Sequence, residues 1–224
     1  MLGALRNRLG LLAGLLLAVA LAPRPSALAA PGDWTESDPL PNSISFWGHA
    51  ACYLDLDGTG IVTDPVFGDW LAHVFPRTVP APAPSTYDQA RIVLISHAHR
   101  DHLDRSTLAT FPPSATILCP EPALEHLTGL PSPVIAMAPG DTYDFPGGTI
   151  VAVPAHHPGG RNSLAGSPDG GALGYVIRTP ARTLYYTGDT SYFDGFKTVA
   201  ATYAPDIVLF NLNAHLRAGH ALQA

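Results

Sequence analysis

The sequence predicts an α+β protein in which two mixed sheets are covered by helices. Three observations point there. Hydrophobic residues make up 46% of the 224 positions and charged ones 13%, a balance that suits a packed core and not a disordered chain. Residues 91–96 (RIVLIS) form a β-branched run, the pattern of a strand buried on both faces. Strand-like segments crowd the early part of the chain and then mix with short helix-like ones. Proline (23) and glycine (21) recur without a period, which predicts many turns and loops rather than a fibrous repeat.

Taken in order, residues 1–30 read as a secretory signal. Arg6 and Arg8 precede an apolar run from Leu9 to Ala22, and Ala27-Leu28-Ala29 supplies small residues for cleavage. The run is too short to span a bilayer comfortably. The expected location is therefore extracytoplasmic, periplasmic or secreted. Loss of Arg6, Arg8 and Arg24 takes the net charge from −6 to about −9, and so acidic a chain repels phosphate backbones, which excludes nucleic acid as a general partner.

Residues 43–46, 50–56 and 61–63 read as strands, with Asp57-Gly58 as a turn. Residues 75–85 (FPRTVPAPAPS) read as a proline-rich loop placed to line a substrate entrance. After the 91–96 strand, Asp104 caps a helix through Ala109. Further strands are expected at 115–119, 134–137, 142–145, 149–154, 172–178, 183–186 and 206–211, and helices at 122–127 and 191–202. Residues 159–171 read as a Gly- and Ser-rich loop. Cys52 and Cys119 sit in strand-like apolar runs, where a free thiol behaves as a small hydrophobe.

The chemistry concentrates in His97-Ala98-His99-Arg100-Asp101-His102, three imidazoles and a carboxylate directly after a buried strand. Imidazole and carboxylate are the ligands of an open, catalytic metal site. Alternate side chains of a loop leaving a strand can aim His97 and His99 at one metal, and Asp101 and His102 at a second. Val153-Pro154-Ala155-His156-His157 and Tyr186-Thr187-Gly188-Asp189-Thr190 place further donors at strand ends. Each is weak alone, because such residues also serve as surface or turn groups. No G-x-S-x-G elbow, P-loop or complete G-x-G-x-x-G is present.

Five segments, Trp47-Gly48-His49-Ala50, Thr63-Asp64-Pro65-Val66-Phe67, SHAHRDHLD at 96–104, Pro154-Ala155-His156-His157 and Gly188-Asp189-Thr190-Ser191-Tyr192, resemble in order the motifs of the metallo-β-lactamase superfamily. The branch they resemble holds N-acyl-phosphatidylethanolamine phospholipase D and ascorbate-6-phosphate lactonase. The resemblance implies an αββα four-layer sandwich over residues 31–224. It assigns His97, His99 and His157 to a first metal, Asp101 and His102 to a second, and Asp189 as a bridge. It places Asp64 behind the ligands and His49 and Tyr192 beside the site.

In that branch a further histidine, on a strand beyond residues 206–211, completes the second metal. Here His215 and His220 are the candidates left, and they resemble the family's pocket residues instead. The expectation is a domain incomplete at its C-terminus. The implied activity is a dinuclear zinc hydrolase, with manganese as the alternative metal, acting on a phosphodiester or cyclic ester through a metal-activated hydroxide. Asp101 or Asp189 would orient the attacking water. The implied substrate is a small or lipid-derived molecule, with contact to a membrane surface; Arg77 and Arg161 are loop candidates for an anionic group. The alternatives are a thioester hydrolase or sulfur oxygenase on the same fold, or a truncated, inactive metal-binding chain. Related iron enzymes carry Glu where this chain has His99.

Overall fold

The run around Ile92 forms a strand with Ile92, Val93 and Leu94 all fully or almost fully buried, so each of its faces meets a different apolar layer. The computed structural model describes residues 16–21, 42–158, 161 and 170–212. In chain order the elements are β1 (Leu16–Leu21), β2 (Ile44–Gly48), β3 (Ala51–Leu56), β4 (Thr59–Thr63), β5 (Trp70–Leu71), β6 (Phe75–Pro76) and β7 (Ala90–Leu94). They continue with α1 (Arg105–Leu108), β8 (Thr116–Pro120), β9 (Val134–Met137), β10 (Thr142–Phe145), β11 (Gly148–Pro154), β12 (Leu173–Arg178), β13 (Thr183–Tyr186), α2 (Gly195–Tyr203) and β14 (Ile207–Leu212).

Two six-stranded sheets result, ordered β1-β14-β13-β12-β11-β10 and β2-β3-β4-β7-β8-β9, with β5-β6 as a separate small ribbon. Period-two patterning decides what lies where. Ile150 and Ala152 of β11 face the space between the sheets, with Leu54, Ile61, Leu94, Tyr175 and Leu209. Val151 and Val153 of the same strand face outward with Val199 of α2. On the other sheet, Val62, Val93 and Ile117 face outward against Leu103, Leu108 and Phe111. The order is helix, sheet, sheet, helix: the expected αββα sandwich.

Strand direction places the chemistry. β2 and β4 are each antiparallel to β3, and β4 is parallel to β7. In the other sheet β11 and β13 are each antiparallel to β12, and β13 is parallel to β14. Hence β2, β4, β7, β11, β13 and β14 all end on one edge. Two contacts bring the two sheets together there: Leu173 N donates to Ser96 O at 2.8 Å, and Tyr175 OH donates to Ile95 O at 2.8 Å.

Three local expectations are revised. The helix expected at 191–202 starts only at Gly195, because Ser191 N donates to His156 O and Thr190 Oγ1 accepts from His156 N, each at 2.8 Å. These bonds hold the preceding residues as a strap against the His156-His157 loop. The segment expected as a helix at 122–127 is a 3-10 turn over Glu121–His126, closed by Leu127 N to Leu124 O at 3.0 Å. The proline-rich loop contains β6 and a 3-10 turn at Pro84–Thr86. At the edge of its sheet, Leu16–Leu21 pairs antiparallel with β14.

Cys52 and Cys119 are free and fully buried in different clusters, between the sheets and beneath the helix layer respectively. Burial pushes both thiols up to about 12, with the Thr63 hydroxyl partly opposing it at Cys52.

Candidate metal centre

Asp64 is the foundation. It follows β4 at φ 32°, and its backbone N–H donates to Leu94 O at 2.8 Å. Its fully buried carboxylate accepts four hydrogen bonds: from Ser96 N (2.7 Å), Ser96 Oγ (2.5 Å), His102 Nδ1 (2.7 Å) and Tyr186 OH (2.6 Å). Three of these donors meet Oδ2 and one meets Oδ1, a set of bonds by which Asp64 orients the groups around it. Its bond to Nδ1 of His102 leaves Nε2 facing the site. Ser96 Oγ, having given its proton to Asp64, accepts from Nδ1 of His97 at 2.9 Å, so Nε2 of His97 keeps its lone pair.

Two groups of donors stand in front of this foundation. In the first, Nδ1 of His99 lies 2.8 Å from Nε2 of His97 and 3.0 Å from Nε2 of His157. Burial pushes all three imidazoles below their ordinary value, aided at His97 by the neighbouring His102. They are neutral donors at pH 7. The second group is His49, Asp101 and His102. Nε2 of His49 lies 3.2 Å from Asp101 Oδ2, and Nε2 of His102 lies 3.8 Å from that oxygen and 3.3 Å from Asp189 Oδ2. Asn211 Nδ2 donates to the other oxygen of Asp189 at 3.0 Å.

The electrostatics of the second group are those of a site built around positive charge. Burial opposes ionisation of Asp101 and Asp189, but His102 beside both outweighs it, with His49 adding at Asp101, and both carboxyls are held far below the usual carboxylate range. Burial likewise opposes charge on His102, and Asp189 and Asp101 overcome it, holding that imidazole well above its ordinary value. The site passes a direct test of fit to a divalent cation. Buried Nε2 atoms of His49, His99 and His102 form no hydrogen bond, although carboxylates approach the first and last closely. Imidazole nitrogens and carboxylate oxygens are the donor set that zinc or a related metal takes.

The sequence-derived candidates therefore fall as follows. His97, His99 and His157 come together, and Asp101 and His102 come together with Asp189 next to His102. Asp64 lies behind them. His49, expected beside the site, stands in it. Tyr192 does not join: it is 77% exposed and stacked 6.1 Å from Phe196. His215 and His220 lie outside the described residues. Arg77 and Arg161 are braces rather than anion hooks. Arg77 donates to the carbonyls of Val66 and Trp47, and Arg161 to those of Ala98 (3.3 Å) and Leu103 (2.9 Å). Three residues escaped the reading of the sequence: Ser96, Tyr186 and Asn211. Asn211 left a signal, a polar side chain inside the apolar run IVLFNL.

Comparison with known proteins agrees with the fold. A sequence profile of the beta-lactamase superfamily domain matches residues 59–222. An uncharacterized protein of Mycobacterium tuberculosis is 29% identical over 227 residues, covering 94% of this chain and 59% of its own. A UPF0173 metal-dependent hydrolase of Opitutus terrae is 28% identical over 163 residues, covering 70% of this chain and 66% of its own. The chain thus spans less than two thirds of the length of these relatives. The crystal structure of a "possible metal-dependent hydrolase" from Veillonella parvula aligns with a TM-score of 0.58 at 20% identity, covering 70% of this chain and 66% of that one, a likeness of fold. The profile, matched over most of the chain, and the αββα sandwich with its histidine-rich edge make this chain a member of the beta-lactamase superfamily domain family.

Proposed function

We propose that this chain is a metal-dependent hydrolase that uses two zinc ions to cleave a phosphodiester or cyclic ester. The observation that carries the proposal is the convergence of six strand ends on one edge, where the neutral imidazoles of His97, His99 and His157 lie beside His49, His102 and two ionised carboxylates. His97, His99 and His157 would hold one metal, and Asp101 and His102 the second, with Asp189 between them. When bound, the metals act as Lewis acids and bring the pKa of water to about 7.

The chain's own residues do the rest. Asp189 is tethered through one oxygen by Asn211, so its other oxygen keeps a fixed direction. Asp101 stays ionised, and either carboxylate can accept a proton-bearing contact from the attacking water. Asp64 holds His102 in a single tautomer throughout. The motifs shared with the phospholipase D and lactonase branch support the substrate class. An extracytoplasmic setting, proposed from the N-terminal pattern, would put lipid head groups within reach. The ribbon formed by β5 and β6 supports contact with a membrane surface: Trp70 is 56% and Phe75 65% exposed.

The test is hydrolysis of bis(p-nitrophenyl) phosphate and of a five-membered lactone by zinc- or manganese-loaded chain. Asp101→Asn is expected to lower the rate by about a hundredfold or more. Turnover of neither ester, with thiol-dependent oxygen uptake by iron-loaded protein, would replace the proposal with an oxygenase on the same fold.

A further inference from the structure

We propose that His49 is itself a ligand of the second metal position, forming with Asp101 and His102 a three-donor set. This inference rests on the metal-dependent reading above and extends it to a residue from a distant part of the chain.

Distance is the first argument. The edges of a tetrahedral zinc site, between donors each about 2.0–2.1 Å from the ion, are about 3.3–3.4 Å long. His49 Nε2 lies 3.2 Å from Asp101 Oδ2, and His102 Nε2 lies 3.8 Å from the same atom. One ligand atom from each of the three residues lies within 4.8 Å of the other two. The rings of His49 and His102 meet edge to face, with centroids 5.1 Å apart, so their nitrogens converge without the rings stacking.

The second argument is unmet bonding. Nε2 of His102 belongs to a side chain with no exposure at all, and it forms no hydrogen bond. Nε2 of His49 is likewise buried without one. Both nitrogens instead lie against carboxylate oxygens, His49 Nε2 3.2 Å from Asp101 and His102 Nε2 3.3 Å from Asp189 and 3.8 Å from Asp101, a buried arrangement that one shared cation would satisfy together.

The third argument is backbone construction. His49 has φ 55° and follows Gly48 at φ 96°, at a register shift between β2 and β3. Glycine takes its positive φ freely, but a non-glycine residue such as His49 in the left-handed region is uncommon unless the surroundings impose it, and such residues gather at functional sites. Here the surroundings do impose it. Arg77 donates to the carbonyl of Trp47, and a Cβ on residue 48 would stand 2.8 Å from Val79 Cβ. The turn is clamped in the one shape that sends His49 toward Asp101.

A cobalt titration of the purified full-length chain tests this, read by visible absorption and by metal content after desalting. The wild type is expected to take up two equivalents. His49→Asn is expected to hold one equivalent as tightly as before and the other at least about tenfold more weakly. Asn accepts the left-handed backbone at this position, so the metal-free melting temperature should stay close to wild type. His49→Asp accepts the same backbone and returns a ligating oxygen, and it is expected to restore the second equivalent. His99→Ala should instead lose the first, with a different spectral change. Two tight equivalents in His49→Asn would overturn the inference and leave the proposed function standing. A wild type that stops at one equivalent would also overturn the inference, and one that binds none would overturn both readings.

Discussion

The two halves of the centre use similar residues but are held by different forces. His97, His99 and His157 form a cluster of neutral imidazoles with ring centroids 4.5–4.9 Å apart, and burial keeps them uncharged. His49, Asp101 and His102 form a charged cluster in which carboxylates and an imidazolium hold one another's protonation states. The first half is ready for a cation as it stands. The second must give up the proton on His102 to take one, so its metal affinity should depend more steeply on pH. Asp64 underlies both, touching His102 directly and His97 through Ser96.

The largest way to break the comparison is to remove that shared support. Asp64→Ala leaves the buried groups of Ser96, His102 and Tyr186 without their acceptor, and an expected loss of about 3–5 kcal/mol follows. Urea unfolding of the metal-free chain would read it, and a loss under about 1 kcal/mol would show that Asp64 is not the foundation. A smaller change separates the halves. Gly188 has φ 57°, and a Cβ there would lie 2.5 Å from Ser96 Cβ. Gly188→Ala should cost about 1–3 kcal/mol and weaken the charged half more, because Asp189 is the next residue.

Acid should find the imidazole half first. The folded values of His97, His99 and His157 lie below the ordinary 6.5, so the unfolded chain binds protons that the folded chain refuses. Stability of the metal-free protein should fall as the pH drops from about 6 to about 5. His102 works in the opposite sense, since its raised value makes its contribution complete below 6.5 and lost as the pH rises through its folded value. A flat urea midpoint between those two acid pH values would remove the assignment of neutral imidazoles. The smallest effect lies outside both halves: Cys52 and Cys119, raised to about 12, should resist thiol reagents at pH 8 until urea unfolds the chain.

What the sequence discloses follows the same division. The imidazole half was legible because it uses two short motifs at strand ends, and the sandwich because apolar runs of strand length recur. The charged half was legible only in Asp101, His102 and Asp189. Nothing local in Gly48-His49 says that a clamped left-handed turn, braced by Arg77, will carry His49 to Asp101. That is a contact between residues far apart in the chain, set by sheet order. Tyr192 shows the converse: a motif residue whose ring the strap at 190–191 leaves in solvent.

Two divalent cations are expected at this edge of the sandwich. The direct measurement is the zinc, manganese and iron content of the purified chain by plasma mass spectrometry, with His99→Ala beside it. Close to two zinc or manganese per wild-type chain are expected, with the loss of one in the variant. Wild-type protein without stoichiometric metal, after exposure to excess zinc, would contradict this expectation.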